Sequence, residues 1–354
     1  MDDALLYVGT YTSPSRSAGI YRLRMDRGSG QLTSAGSVDA GPNPSFLAIH
    51  PNGRVLYAVN EVEQGTVSTF AIAGDSGGLT KLGHVSSEGS APCYVSVDKS
   101  GRVVLVANYD SGNVALLAVQ TDGTLAQATS IIQHRGKGPI AQRQNGPHAH
   151  CILADPSNHF ALAADLGADR VFVYRLDPDH GSLLPNETGA AVMRPGAGPR
   201  HLAFHPSLPL VFVANELDST VATLHFDTGH DELSVVGTQS TLPAGWTGTN
   251  YPADIHIAPS GRALYVSNRG HNSLAVFSVA ESTGTLALVQ TVSTQGDWPR
   301  NFTLDPTGRW LLVANQKSNS IVVFARDEAS GTLTPTGRRI AVPSPVCLRF
   351  HASA

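Results

Sequence analysis

The sequence predicts an all-β chain closed into a seven-bladed β-propeller, and three observations carry that prediction. The first is a repeat: aligning the proline that opens a strand gives Pro44, Pro92, Pro147, Pro199, Pro252, Pro299 and Pro345, seven copies spaced 46 to 55 residues apart. The second is what fills each period. An apolar-polar alternation, a turn, an apolar run ending in Asn or Asp, a further strand, a Gly-containing hairpin and a last strand follow each proline, which makes four short antiparallel strands. The third is how the ends complement each other. Three strands precede Pro44 (Leu5 to Gly9, Gly19 to Met25, Leu32 to Val38) and one follows Pro345 (Val346 to His351), so the termini together complete a seventh blade and pair otherwise open edges.

Taken in order, the first turns recur as His50-Pro51-Asn52-Gly53-Arg54, Asp98-Lys99-Ser100-Gly101-Arg102, Pro259-Ser260-Gly261-Arg262 and Asp305-Pro306-Thr307-Gly308-Arg309. Proline fixes φ and glycine permits positive φ, which is hairpin punctuation. The second strands end at Asn60, Asn108, Asp165, Asn215, Asn268 and Asn315, residues read as turn-formers. The second hairpins recur as Gly28-Ser29-Gly30, Ser76-Gly77-Gly78, Thr283-Gly284-Thr285 and Ser330-Gly331-Thr332. Gly74-Asp75-Ser76-Gly77-Gly78 matches a nucleophile-elbow string, yet its place in that series makes it a turn, with no helix to follow. None of Trp246, Trp298 or Trp310 is followed by Asp, against a tryptophan-aspartate repeat. No linker or charge run divides the chain, so one domain is expected over residues 1–354.

Composition narrows the function classes. With 41% hydrophobic and 15% charged residues and a formal net charge of -4, nothing favours binding to nucleic acid or an acidic membrane. A small-molecule partner is expected, with the chain a monomer or weak homo-oligomer. Met1 to Val8 enter a strand pattern without a basic start or an apolar signal run, which points to the cytoplasm, and no apolar run approaches the roughly 20 residues of a membrane span. Cys93, Cys151 and Cys347 sit singly among apolar residues and read as buried free thiols.

If the first strand of each blade runs down the channel and the second runs back up, residues after the repeating prolines and residues ending the second strands share one rim. That rim collects His148 and His150, Arg200 and His201, Glu216, Asp254 and His256, Arg269 and Arg300. Phe46, Tyr94 and Val346 occupy the equivalent sites in other blades, so the polar rim is confined chiefly to the second half of the ring. Two connections are long enough to wall the mouth as lids, Gln133 to Gly146 and Thr241 to Tyr251; the first carries His134, Arg135, Lys137 and Arg143, donors that suit a phosphate. Blander readings stand beside these. Glu216 and Arg200 also suit a structural rim ion pair, Arg269 an exposed loop, and His201 and His256 satisfied interface histidines. His148 and His150, two apart in a strand, would face one way and could chelate a metal, but the nearby arginines oppose a cation.

Gly196 to His201, Asn215-Glu216-Leu217, Ala253 to Ile257, Trp298 to Phe302 and Asn315 to Ser318 together resemble the lactonase family of seven-bladed propellers, which spans bacterial sugar-lactone hydrolases and a fungal carboxy-cis,cis-muconate cyclase. The resemblance covers essentially the whole chain. It implies a catalytic set of His150 (or His148), Arg200, Glu216 and Arg269, and no metal; the rim residues His148, His201, Asp254, His256 and Arg300 and the loop residue Arg143 are expected to bind substrate, and no cofactor is expected. The reaction it implies is hydrolysis of a small anionic sugar lactone, first 6-phosphoglucono-1,5-lactone. The alternatives are a cycloisomerase or lactonase acting on an unphosphorylated muconate-type or sugar acid, and a non-enzymatic binding propeller. The chemistry agrees: opening a lactone develops negative charge on oxygen, guanidiniums stabilise it without losing their own charge, and a histidine or Glu216 could take the water's proton.

Overall fold

The computed structural model describes residues 3–351, apart from Asp75 and the side chains of Glu187 and Thr188. Among these residues every regular element is a strand, and the strands pair into seven four-stranded antiparallel sheets. The fourth sheet is typical: Pro199–Phe204 innermost, then Leu210–Asn215, Thr220–Asp227 and Glu232–Ser240. In the seventh, Pro345–Phe350 is the inner strand and pairs with Asp3–Thr10, followed by Ile20–Asp26 and Leu32–Val38, so the ring is closed by both ends of the chain. Inner strands of successive blades pack against one another all the way round, the seventh returning to the first.

Burial falls from the axis outwards, and the sequence pattern follows it. Second strands such as Val103–Asn108 (VVLVAN) and Trp310–Asn315 (WLLVAN) are buried at every position, because both faces of the sheet meet a neighbouring blade. Outer strands such as Leu125–Gln133 alternate instead and carry register shifts that interrupt the edge. Leu105 and Leu162 are fully buried, and truncating either to Ala would cost about 2–5 kcal/mol.

The recurring glycine hairpins lock adjacent blades. Tyr7 Oη donates to Gly77 O at 2.9 Å, Tyr57 Oη to Gly123 O at 2.9 Å, and Tyr265 Oη to Gly331 O at 2.7 Å, each reaching from a second strand to the hairpin of the next blade. Gly77 is needed twice over: its φ is +64°, and a Cβ there would sit 2.1 Å from Leu5 Cδ2. The serine string around it is therefore a blade contact, although Asp75 itself lies outside the described residues.

The terminal asparagines behave differently from the turn-formers expected. None has positive φ; instead the side chains of Asn60, Asn108, Asn268 and Asn315 reach back to the connection that enters their own blade, while Asn215 donates to Thr220 Oγ1 in its own turn. Asn60 Nδ2 donates to Ala40 O and Pro42 O, Asn108 Nδ2 to Ser87 O, and Asn315 Nδ2 to Thr294 O. Such a residue needs one short amide, which is why Asn recurs there.

A candidate active site at the channel mouth

One structural device aims the site. In six blades the inner strand carries an extra residue just after its first pair with the second strand: Ser45, Cys93, His150, Arg200, Arg300 and Val346. The fifth blade has a wider irregularity, with Ala253 and Asp254 between the pairs Pro252 to Asn268 and Ile255 to Val266. Such bulges re-aim side chains, here towards the channel mouth. A second position lies just beyond the buried polar residue that ends the second strand, Asn60 and Asn215 in the first and fourth blades and Thr10 in the seventh, where Glu61 N donates to Asn43 O (3.0 Å), Glu216 N to Gly198 O (2.7 Å) and Tyr11 N to Ser344 O (3.2 Å).

Together these positions enclose a cavity of about 260 Å³ lined by Tyr11, Glu61, Cys93, Tyr109, Arg143, His150, Glu216, Arg269 and Arg300. Every one except Arg143 occupies a bulge or this second position. Two depressions of about 310 and 340 Å³ lie on the opposite face, lined largely by apolar residues such as Phe204, Leu208 and Phe226, or Ile49, Val95 and Phe350. They hold no comparable set of converging charges.

Glu216 is the hub of one wall. Its Oε1 lies 2.5 Å from Arg143 Nη2, and its Oε2 lies 2.6 Å from Arg269 Nη2 and 2.9 Å from Arg200 Nε. The Arg200 N–H does not point along that last contact, which is therefore an ion pair without an aligned hydrogen bond. Burial favours a neutral carboxyl, but Arg269, Arg200 and Arg143 outweigh it and hold Glu216 ionised far below the usual carboxylate range. Burial pushes Arg269 down to about 9 against the pull of Glu216, which leaves it charged at neutral pH.

Glu61 lines the other wall in a milder setting. Tyr11 Oη sits 2.9 and 2.8 Å from its two oxygens, and Ser45 Oγ donates at 2.5 Å. Arg300 Nη2 donates to Tyr11 Oη at 2.7 Å. Burial holds the Tyr11 phenol far above its ordinary pKa, so it keeps its proton and donates. Between the walls, burial and the fields of Arg200, His201 and Arg300 push His150 well below its ordinary pKa, leaving a neutral imidazole. Its Nδ1 is 3.6 Å from Cys93 Sγ. Burial raises that thiol well above its ordinary pKa, so Cys93 offers no thiolate nucleophile.

Behind Glu216 a polar chain runs deeper into the channel. Arg200, 1% exposed, donates from Nη1 to Ala253 O and to His201 Nε2 (3.2 Å). His201 Nδ1 donates to Asp254 Oδ1 (2.8 Å), and burial holds its pKa at about 3. Asp254 Oδ2 also accepts from His256 Nε2 (3.0 Å) and Asn301 Nδ2 (2.5 Å).

Of the residues expected at the site, His150, Glu216, Arg269, Arg300 and Arg143 line the cavity. Arg200 and His201 line a small adjoining pocket with Ser45, Phe46 and Val346, while Asp254 and His256 line neither. His148 is also outside: the strand starts at Ala149, so His148 precedes the bulge, stacks on Tyr109 at 4.5 Å and donates from Nδ1 to Tyr109 O at 2.9 Å. The pair therefore does not share a face, and among the described residues no three His, Cys, Asp or Glu are grouped to hold a metal.

Three expectations need correction. Phe46 and Tyr94 are one residue deeper than the rim, stacked on each other at 4.2 Å; Ser45 and Cys93 hold the bulge positions. The rim is consequently polar in the first half of the ring too, through Tyr11, Glu61 and Tyr109. The donor loop contributes only Arg143. Its His134 is buried between Asp165 (2.7 Å) and Tyr174 (2.6 Å), and Arg135 and Lys137 are exposed. Arg143 is placed by Gln144, whose buried amide donates to Leu166 O and Asp169 Oδ1. No residue of the second long connection lines the cavity, though Tyr251 at its end stacks 5.9 Å from the Arg269 guanidinium.

Residues 5–350 match the family model described as "Lactonase, 7-bladed beta-propeller". The chain belongs to that lactonase family. A 6-phosphogluconolactonase of Bacillus subtilis (strain 168) is 39% identical to this lactonase over 345 residues, covering 97% of each chain. The Pseudomonas aeruginosa periplasmic gluconolactonase PpgL superposes with a TM-score of 0.93 at 35% identity, covering 99% of this chain and 100% of that one. A Lactobacillus plantarum protein superposes at 0.92 with 37% identity, covering 98% and 99%. Among the described residues of the lactonase no helix is long and apolar enough to cross a membrane.

Proposed function

We propose that the chain hydrolyses a small anionic sugar lactone, and that 6-phosphoglucono-1,5-lactone, opened to 6-phosphogluconate, suits the site best. The observation that carries this reading is the charge around the cavity. Arg143, Arg200, Arg269 and Arg300 face two carboxylates, Glu61 and Glu216, beside a neutral His150, leaving a surplus of two positive charges. A phosphate dianion matches that surplus. The Bacillus relative, named for this substrate, agrees in kind.

The surplus sits on one wall. Three guanidiniums surround Glu216, whereas Arg300 and Glu61 balance each other. The phosphate therefore goes to Arg143 and Arg269, and C1 of the ring to the side of Arg300, whose guanidinium stabilises the oxyanion formed when water attacks. Removing one such donor typically lowers the rate roughly a hundred- to thousandfold. Glu216 is too firmly ionised to serve as a base; it spaces the arginines. Arg200 acts through Glu216, and His150 offers a neutral hydrogen-bonding group to the sugar. The cytoplasm is the proposed compartment, and cell fractionation decides between it and the periplasm named for PpgL.

The deciding experiment measures lactone hydrolysis by pH-stat, corrected for the spontaneous reaction. Charged hydrogen bonds worth roughly 1.5–3 kcal/mol predict kcat/KM about 10- to 100-fold higher for the 6-phosphorylated than for the unphosphorylated gluconolactone. Equal rates would favour an unphosphorylated sugar lactone, the substrate class in PpgL's name, and no rate with any lactone would favour a binding propeller.

A further inference from the structure

Lactone opening by water needs a proton acceptor, and the cavity holds three candidates: His150, Glu216 and Glu61. Two are poorly suited. His150 lies in the field of Arg200 and Arg300, which with burial strips its basicity, and one ring nitrogen is turned to the Cys93 thiol. Glu216 spends both oxygens on guanidiniums. A proton placed there would displace a charge-assisted bond in a buried site.

Glu61 differs on each count. Its hydrogen-bond partners among the described residues are hydroxyls, Tyr11 and Ser45, which bond a carboxylate or a carboxylic acid without losing a fixed charge pair. The two hydroxyl protons leave acceptor capacity on a half-buried carboxylate that borders the cavity. Ser45 and Glu61 also stand in the same two blade positions as Arg200 and Glu216, one pair in the first blade and one in the fourth. Replacing the arginine of the fourth blade by serine turns an electrostatic clamp into an exchangeable acceptor.

We propose that Glu61 is the catalytic base of the hydrolysis, with Tyr11, Ser45 and Arg300 as its positioning residues; this rests on the lactonase reading above. Water oxygen bonds to C1 as Glu61 removes one water proton, and the carbonyl electron pair moves onto oxygen beside Arg300. The C1 to ring-oxygen bond then breaks as the oxyanion collapses. Glu61 returns its proton to the departing ring oxygen, which becomes a hydroxyl, and the new carboxyl group ionises into solvent. The base is thereby regenerated.

The test compares wild type, Glu61→Gln and His150→Gln by kcat, KM and the pH dependence of kcat/KM on 6-phosphoglucono-1,5-lactone, with thermal melts as a folding control. Groups sharing the two pockets with Glu61 are Tyr11 from the seventh blade, Ser45 from its own, Cys93 and Tyr109 from the second, His150 from the third, Arg200, His201 and Glu216 from the fourth, Arg269 from the fifth, Arg300 from the sixth, and Arg143 from the lid. Glu61→Gln keeps the hydroxyl contacts and should melt as wild type, yet lose about 10²- to 10⁴-fold in kcat with KM nearly unchanged. The loss of rate on the acid side of the wild-type profile should vanish in Glu61→Gln and persist in His150→Gln. Wild-type turnover in folded Glu61→Gln, or an acid limb abolished only in His150→Gln, overturns the proposal while leaving the lactonase reading in place. A wild-type protein inactive on every lactone overturns both.

Discussion

Glu61 and Glu216 occupy the same position in the first and fourth blades, each directly after the buried asparagine that ends a second strand, yet the ring gives them different neighbours. Glu216, 4% exposed, meets three guanidiniums, whereas Glu61 meets two hydroxyls. One backbone device thus presents the same carboxylate as a fixed charge on one wall and as an exchangeable group on the other. A repeat fold supplies equivalent positions, and the residue at the neighbouring bulge decides what each position does.

The comparison breaks most visibly at Glu216. Glu216→Gln leaves Arg200 and Arg269, both almost fully buried, without their carboxylate, and should cost about 3–5 kcal/mol in stability, read from denaturant unfolding. The pH dependence has a definite sign. Glu216 is depressed in the folded state, so its contribution is complete above the unfolded carboxylate pKa of about 4.3 and is lost as pH falls towards the folded value. The stability gap between wild type and Glu216→Gln should therefore stay constant from neutral pH to about 5 and narrow on further acidification; a gap that widens in acid would contradict the assignment.

A smaller effect is expected at the lid. Arg143, part-exposed, holds the outer oxygen of Glu216. Arg143→Ala should raise KM for the phosphorylated lactone roughly tenfold, the size of one charged hydrogen bond, and leave KM for the unphosphorylated lactone nearly unchanged. A parallel rise for both would remove the phosphate from that wall.

Much of the fold was legible because the repeat shows itself in residues with single jobs. The glycine hairpins mark where the preceding blade docks, and the prolines mark inner strands. Arg200, Glu216, Arg269 and Arg300 followed from strand direction alone. Glu61 is not legible although Asn60-Glu61 repeats Asn215-Glu216, because placing Phe46 and Tyr94 at the inner-strand sites, where Ser45 and Cys93 stand, makes the first half of the rim read as apolar. In the third blade Pro147 stands ahead of the strand, so counting from proline lands on His148 while the register places His150 in the bulge. Tyr11 is hidden by the composite blade; Arg143 is expected from its loop, but what fixes it, Gln144's contacts with the third blade, no local pattern announces.

The most direct measurement is a crystal structure of the protein with 6-phosphogluconate. The two walls predict the phosphate at Arg143 and Arg269 and the C1 carboxylate beside Arg300, with Glu61 within hydrogen-bond reach of C1's oxygens. The reverse orientation, with C1 against Glu216 and the phosphate beside Glu61, would contradict the division of roles between the two carboxylates.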